Sequence, residues 1–172
     1  MNNRKYKYYF KGRLFSAGGI LPFDDNGIWT VCEKNSKGEV YTDIGGKFTP
    51  EDCDIIGTIV REFREEMYNL YEIPYSKLKE LSEEIKPIFV YNADGRSNYM
   101  SYPVHINKLD IEFDPVAFNE ARTGVLEHNK FIPEYFYKPC ELKYIRFDEL
   151  DDYNLSFRLK IVIKHSKINS NE

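Results

Sequence analysis

The chain has 172 residues, of which 42% are hydrophobic and 16% aromatic, and its formal net charge is −4. These values fit one globular domain, residues 1–172, and they exclude a general electrostatic attraction to nucleic acid. The aromatic residues can build a core or line a pocket in which a base stacks, and the core is their commoner use.

The sequence shows no feature of export or membrane insertion. Its three cysteines, Cys32, Cys53 and Cys140, are odd in number and widely spaced, which predicts neither a disulfide framework nor a zinc site. Charged and polar residues recur near the N-terminus, and no apolar run approaches the length of a membrane span. We therefore expect a cytoplasmic protein without a membrane partner. Nothing in the sequence indicates an oligomeric state.

Basic residues crowd the two ends of the chain. They are Arg4, Lys5, Lys7, Lys11 and Arg13 at one end and Arg158, Lys160, Lys164, His165 and Lys167 at the other. A fold that joins the ends would create one basic surface that could follow the phosphates of RNA. Alternatively, the two ends are simply solvated, which is the slightly favoured interpretation. RNA binding by a joint basic surface is therefore an open alternative.

Alternating apolar and polar residues predict strands in the first third of the chain. The first covers residues 14–23 and is interrupted at Gly18-Gly19, and the next two cover 28–34 and 39–44. Gly45-Gly46 is then expected to end the third strand, because glycine weakens strand interiors.

A helix is predicted to begin at Thr49-Pro50, where threonine can cap the first turn and proline suits the first helical position. Apolar residues follow at three- and four-residue spacing, which indicates an amphipathic helix. They are Ile56, Ile59, Val60, Phe63 and Met67. Asn69 is expected to adopt the left-handed conformation that ends it.

The second half of the chain also alternates between helices and strands. The predicted elements are a helix over 76–85, paired strands over 87–91 and 99–106 around Asp94-Gly95, a strand over 142–147 and a last helix reaching about His165. Residues 107–138 show no clear period, so we expect a long loop there, of the kind that is functional or mobile. The order of elements predicts an α/β fold with a mixed central sheet.

Three acidic residues of the predicted helix, Glu62, Glu65 and Glu66, follow i, i+3, i+4 spacing and so share one face. Such a face can simply be solvated, with Arg61 and Arg64 neutralising it. It can also hold a divalent cation, because Mg²⁺ prefers carboxylate oxygens and shares its shell with substrate phosphates.

The surroundings of these acids favour the cation. Gly45-Gly46-Lys47 followed by Arg61-Glu62-Phe63-Arg64-Glu65-Glu66 resembles the box of the Nudix hydrolase family, G-x5-E-x7-R-E-U-x-E-E-x-G-U, in which U is aliphatic. The box covers about residues 45–69. The wider resemblance covers most of the chain, since Ser16-Ala17-Gly18 with Ile20-Leu21-Pro22 is similar to the family's first strand and residues 141–150 are similar to its late strand and acidic turn. The resemblance implies an α/β/α sandwich with a mixed central sheet.

The box is irregular at both ends. Counted from Gly46, its first glutamate position holds Asp52, and eight residues rather than seven separate it from Arg61, so Glu51 is an alternative in another loop register. Tyr68 occupies the position of the last glycine. Because the helical core of the box is intact, we expect the metal site to be retained.

The resemblance implies a metal-dependent pyrophosphohydrolase that uses Mg²⁺ or Mn²⁺. Its metal ligands would be Glu62, Glu65, Glu66 and the carbonyl oxygen of Gly45, and Arg61 would hold a helix carboxylate in place. Metal-bound water is acidic enough to attack phosphorus near neutral pH.

A general base could come from the helix or from a distant acid. Glu66 is the first candidate, and Glu127 and Glu141 are favoured over Glu120 and Glu134 among the distant acids. Lys47 and Arg13 are the candidate contacts to the substrate.

The substrate implied is a nucleoside diphosphate derivative, either a small nucleotide or the 5′ cap of mRNA. Aromatic residues that could stack on its base are Tyr8, Tyr9, Phe15, Trp29, Phe131, Tyr135, Phe136 and Tyr137. The lengthened box is also similar to that of viral and eukaryote-like Nudix enzymes that remove mRNA caps or cleave inositol pyrophosphates. A degenerate module that senses a nucleotide without cleaving it and a plain interaction domain are the remaining alternatives.

Overall fold

We analysed a computed structural model, which describes residues 8–93, 98–129 and 139–168. Several predictions concern residues outside these ranges. They involve Arg4, Lys5, Lys7, Asp94, Gly95, Phe131, Glu134, Tyr135, Phe136 and Tyr137. In the described ranges, no helix combines the length and the apolar character needed to cross a membrane.

Nine strands and four α-helices make up the described fold. The strands are β1 (Tyr8–Phe10), β2 (Arg13–Phe15), β3 (Ala17–Phe23), β4 (Gly27–Asn35), β5 (Gly38–Thr42), β6 (Ile44–Lys47), β7 (Ile88–Val90), β8 (Tyr99–His105) and β9 (Glu141–Arg146). The helices are α1 (Ile55–Glu66), α2 (Tyr75–Glu84), α3 (Pro115–His128) and α4 (Phe157–Ser166). β1 and β2 form a separate hairpin.

The other seven strands form one mixed sheet. Its main path runs β5-β4-β3-β8-β7, with β6 on β3 and β9 on β4. β3 and β8 are parallel, whereas the other pairs are antiparallel. Apolar side chains form one core with α1 and α2 and a second core with α4. Helices therefore cover both faces of the sheet, and the predicted α/β sandwich with a mixed central sheet is confirmed.

The sheet splits between β3 and β4. Among the described residues these two strands pair only where Phe23 faces Ile28. Beyond that point β3 pairs with β6 and β4 pairs with β5. Asp43 joins β5 to β6 across the split, and its side chain is completely buried.

Gly45-Gly46 does not end a strand, contrary to the prediction. Both glycines belong to β6, where they pair with Gly19 and Gly18 of β3. A Cβ at Gly45 would overlap the backbone of Gly18 and Gly19 and would lie 2.6 Å from the Tyr99 hydroxyl. Close approach of two backbones is thus the reason for glycine at this position.

The helix begins later than predicted. Thr49 precedes a 3-10 turn, Pro50–Asp52, and α1 starts after Asp54, whose carboxylate accepts a hydrogen bond from the Gly57 N–H. Cys53, between the two, has a φ of 62°. The turn and this left-handed residue accommodate the extra residue of the box.

Left-handed residues follow α1, as predicted for Asn69, whose φ is 59°. Tyr68, in the position of the family's glycine, is also left-handed, with a φ of 53°. Its ring stacks edge-on against Phe118, and its hydroxyl donates to the carbonyl oxygen of Pro139. These tertiary contacts offset the strain of a non-glycine residue in this conformation.

The expectation of a long loop over residues 107–138 is wrong for most of its described part, because α3 lies there. Asp114 caps the helix by accepting from the N–H groups of Val116 and Ala117, and Pro115 occupies its first turn. Only Phe118 of α3 is buried. A helix with one buried residue has no apolar stripe, which explains the missing period.

Candidate metal centre

Glu66, the last residue of α1, is buried against the glycines of β6. Its Oε2 accepts a hydrogen bond of 2.8 Å from the Gly45 N–H. Burial raises the pKa of Glu66 well above its ordinary value, the Gly45 N–H opposes that rise, and the nearby Glu62 adds to it. This carboxyl group therefore lies in a site with too little positive charge to balance its ionised form.

Glu62 and Glu65 both pair with Arg61. Arg61 Nη1 lies 2.8 Å from Glu62 Oε1 and 3.1 Å from Glu65 Oε2. Glu62 is 17% exposed and Glu65 is 54% exposed. Burial raises the pKa of Glu62 despite the ion pair. The carboxyl group of Glu62 also fills the space beside Gly46, which any Cβ there would overlap.

Arg61 is fixed mainly by Asp52. Its Nε lies 2.7 Å from Asp52 Oδ1 and its Nη2 lies 3.0 Å from Oδ2, a bidentate arrangement. Nη2 also donates to the Lys47 carbonyl oxygen at 2.8 Å. The bond to Asp52 is the main reason that the pKa of Arg61 is raised. Of the two acids considered for the first position of the box, Asp52 is buried on Arg61, whereas Glu51 is exposed.

The donor set fits a hard divalent cation in chemistry and charge. One guanidinium faces three carboxylates, those of Asp52, Glu62 and Glu65, and the Glu66 carboxyl is buried behind them. In the described residues, no three metal-binding side chains are grouped closely enough to hold an ion. The reason is that Glu62 and Glu65 turn towards Arg61, so metal binding requires them to exchange that contact for the cation.

A second charged cluster lies in the split of the sheet, and sequence reasoning missed it. Asp43 is completely buried, and its carboxylate accepts from Arg158 Nε at 2.8 Å, the Tyr99 hydroxyl at 2.9 Å and Ser101 Oγ at 2.7 Å. The guanidinium carbon of Arg158 lies 4.0 Å from the centre of the Tyr99 ring. Burial alone would lower the pKa of Arg158, but Asp43 and Tyr99 outweigh it and the pKa is raised.

The place of Arg158 among the basic C-terminal residues suggested that it belongs to a basic surface. The structure shows that it does not, because its guanidinium pairs with Asp43. It extends from the first turn of α4 into the split and lies within electrostatic range of Glu66. Since Asp43 and Arg158 are distant in sequence, no local pattern could have joined them.

The other predicted site residues are spread over the surface. Lys47 is exposed, Arg13 is exposed with its guanidinium 4.7 Å from the Tyr91 ring centre, and Glu127 is exposed near the end of α3. Glu141 accepts from the Tyr41 hydroxyl at 3.0 Å. In the described part of the chain, no hydrogen bond or ion pair joins these side chains to the helix glutamates. Their roles in catalysis and substrate binding remain predictions.

Comparisons with known proteins find similarity among solved structures. No protein-family model matches the chain, and no curated protein matches it. Among solved structures it is similar to RenU, described as a Nudix hydrolase from M. smegmatis, at 12% identity and a TM-score of 0.43, over 92% of this chain and 90% of that one. Values this low assign neither an activity nor a site, so function is inferred from the residues themselves.

Proposed function

We propose that this protein is a metal-dependent pyrophosphohydrolase that cleaves a pyrophosphate bond in a nucleoside diphosphate derivative. The observation that carries the proposal is a set of carboxylates on the last turns of α1. They lie against β6, the strand that contains Gly45 and Gly46 (the glycine strand), and a single arginine, Arg61, pairs with two of them. The resemblance of residues 45–69 to the Nudix box supports it independently. Such an oxygen-rich site suits Mg²⁺ or Mn²⁺.

We assign the groups that this reaction needs to the chain's own residues. Glu62, Glu65, Glu66 and the carbonyl oxygen of Gly45 would hold the metal. Arg61, fixed by Asp52, would keep Glu62 and Glu65 close to the site until the metal replaces its contact with them. When bound, the metal would neutralise charge on phosphoryl oxygens and acidify a water molecule. Positioning and electrostatic stabilisation supply most of the catalysis in phosphoryl transfer.

The reacting water also needs a proton acceptor. Glu66, which is also one of the proposed ligands, is the first candidate because its carboxyl is buried at the glycine strand. Glu141 and Glu127 remain the two distant candidates. Replacing each acid separately by glutamine and measuring kcat as a function of pH would identify the base, because loss of the base removes the acidic limb of the profile.

The decisive experiment is hydrolysis of a panel of nucleotides with Mg²⁺ or Mn²⁺, for the wild type and for Glu65→Gln. Glu65 is more than half exposed, so its replacement should lower turnover without unfolding the protein. Glu51→Gln is the matched control, since Glu51 is exposed in the loop before α1. Metal-dependent turnover that survives Glu65→Gln undiminished would contradict the proposed site.

The same experiment separates the non-enzymatic alternatives. A nucleotide sensor would bind substrate without releasing product. An interaction domain would do neither, and Mn²⁺ would leave its melting temperature unchanged, because only a ligand that binds the native state stabilises it.

Capped RNA and small nucleotides differ in their dependence on salt. An RNA substrate that follows basic residues should lose affinity steeply as salt rises, whereas a free cap dinucleotide should not. Of the C-terminal basic residues, Lys160, Lys164 and Lys167 are exposed and could contribute. Equal, salt-insensitive rates on capped RNA and free cap would exclude an RNA-binding groove.

A further inference from the structure

A small cavity lies between the β4-β5 hairpin and the first turn of α4. Its volume is about 190 Å³, and its lining residues are Glu33, Asn35, Val40, Thr42, Ser156 and Arg158. Cavities that bind drug-sized ligands measure roughly 300–1,000 Å³. This one is therefore of a size for a single ring system.

The cavity adjoins the candidate metal centre. Arg158 lines the cavity and lies 2.8 Å from Asp43. Asp43 comes two residues before Gly45, whose N–H donates to Glu66, the buried acid at the end of α1. A ligand whose phosphates lie at the α1 glutamates could therefore place its remaining part here.

The charges of the lining disfavour a phosphorylated ligand. Arg158 is already paired with Asp43 at 2.8 Å, so its positive charge is balanced inside the protein. Glu33 adds a carboxylate to the wall. A ring that carries several phosphates, such as an inositol phosphate, would meet net negative charge here and be repelled.

The lining instead offers neutral hydrogen bonding and one apolar wall. Arg158 uses Nε and Nη2 on Asp43 and Thr42, and within the described residues its Nη1 makes no hydrogen bond. Asn35 uses its Oδ1 on the Lys37 N–H, which leaves its amide nitrogen as a donor. A carboxylate has about four lone-pair sites, so Glu33 can accept from a ligand besides its other contacts.

We propose that this cavity binds the nucleobase of the substrate and that it favours guanine. Arginine is the usual donor to the O6 and N7 acceptors of guanine. A carboxylate accepts from the N1–H and N2–H groups on the Watson–Crick edge of the same base. Adenine offers no carbonyl oxygen to Arg158 and presents its amino group there instead. This inference rests on the proposed function for the location of the phosphates.

Binding can be measured separately from turnover. The test is titration of the full chain with GDP, 7-methyl-GDP, ADP and inositol hexakisphosphate in the presence of Ca²⁺, followed by intrinsic fluorescence or calorimetry. We expect the better of the two guanine nucleotides to bind about tenfold more tightly than ADP, since one good base contact is worth roughly that factor. Preference for GDP or for 7-methyl-GDP distinguishes a free nucleotide from an mRNA cap.

Glu33→Gln is the test variant, and Glu39→Gln is its control on the same hairpin. Glu39 is exposed and pairs with Lys34 at 3.5 Å, outside the cavity. Glu33→Gln should remove most of the preference for guanine over adenine, and Glu39→Gln should leave it intact. Because Glu33 is partly exposed, its replacement should not unfold the chain.

The outcomes separate this inference from the proposed function. Guanine-selective binding without any hydrolysis would support the cavity and contradict the enzyme. Hydrolysis with equal affinity for GDP and ADP, or a selectivity that survives Glu33→Gln, would overturn the cavity and leave the enzyme in place. Inositol hexakisphosphate binding as tightly as GDP would also overturn it.

Discussion

Replacing Asp52 with asparagine tests the link that holds the candidate metal centre together. The Asp52 carboxylate accepts two hydrogen bonds from Arg61, one from the Thr49 N–H at 2.8 Å and one from Thr58 Oγ1 at 3.0 Å. Asparagine keeps one acceptor oxygen, loses the charge and turns an amide N–H₂ towards groups that are themselves donors. At least one charge-assisted bond to Arg61 is therefore lost.

The expected cost follows from the burial of the pair. A hydrogen bond to a charged group contributes about 1.5–3 kcal/mol, and breaking a buried pair costs about 3–5 kcal/mol. The Asp52 side chain is only 3% exposed, so water cannot replace the lost partner, but Arg61 keeps Glu62 and Glu65. We expect a loss of about 3 kcal/mol, which for a chain of this size lowers Tm by roughly 6–12 °C.

The assay is thermal and urea unfolding of wild type, Asp52→Asn and Glu51→Gln at several pH values. Burial alone would raise the pKa of Asp52, but its bonds to Arg61, Thr49 and Thr58 outweigh burial and lower it from the ordinary 3.8. A lowered folded-state pKa gives stability that is present above the unfolded value and lost as pH falls through the folded value. The gap between wild type and Asp52→Asn should therefore close in acid.

Two results would refute this reasoning. One is a loss of the same size in Glu51→Gln. Glu51 is exposed, so the free energy of unfolding of this variant should be within about 0.5 kcal/mol of the wild-type value. The other is a gap between wild type and Asp52→Asn that stays constant from neutral pH down to strong acid.

Three further substitutions probe the glycine strand and the buried pair. Gly46→Ala would displace only the flexible end of Glu62, so Tm should change by no more than about 2 °C while Mn²⁺ affinity in a thermal-shift titration falls at least about tenfold. Gly19→Ala would place a Cβ 2.6 Å from a backbone carbonyl of β6, so urea unfolding should show a loss of about 3 kcal/mol or more. Arg158→Ala leaves Asp43 buried without its cation and should cost about 3–5 kcal/mol in the same assay, with partial recovery in Arg158→Lys. Tolerance of either of the last two changes would show that the strand and the pair are not held as described.

Local features of the sequence predicted the local parts of the site. The three glutamates of α1 share a face because helix spacing alone decides it, and Arg61 reaches two of them within one turn. For the first glutamate position of the box, the sequence left two candidates, Asp52 and Glu51. It could not decide between them because the loop register depends on Cys53, whose positive φ no residue propensity indicates. Local geometry therefore sets the helix face but not the loop.

What sequence reasoning missed depends on tertiary contact. Glycine in β6 predicted a strand end, yet it is there because another backbone lies against it. The helix α3 had visible start signals at Asp114-Pro115, but its single buried residue left no period to detect. The pair of Asp43 and Arg158 forms between positions 115 residues apart in the sequence, across the split of the sheet. No pattern within one element reports such a contact.

The Asp43 pair also explains how α4 can influence an acid on the opposite face of the sheet. Asp43 lies two residues before Gly45, whose N–H donates to Glu66. The Tyr99 hydroxyl bonds to Asp43 and lies where a Cβ on Gly45 would come within 2.6 Å, so one buried cluster fixes this part of β6. Removing Arg158 should therefore disturb Asp43, Gly45 and Glu66 together, and lost nucleotide binding in that variant would not identify a base contact. Glu33 is the better probe, because it lines the cavity from β4 and does not belong to β6.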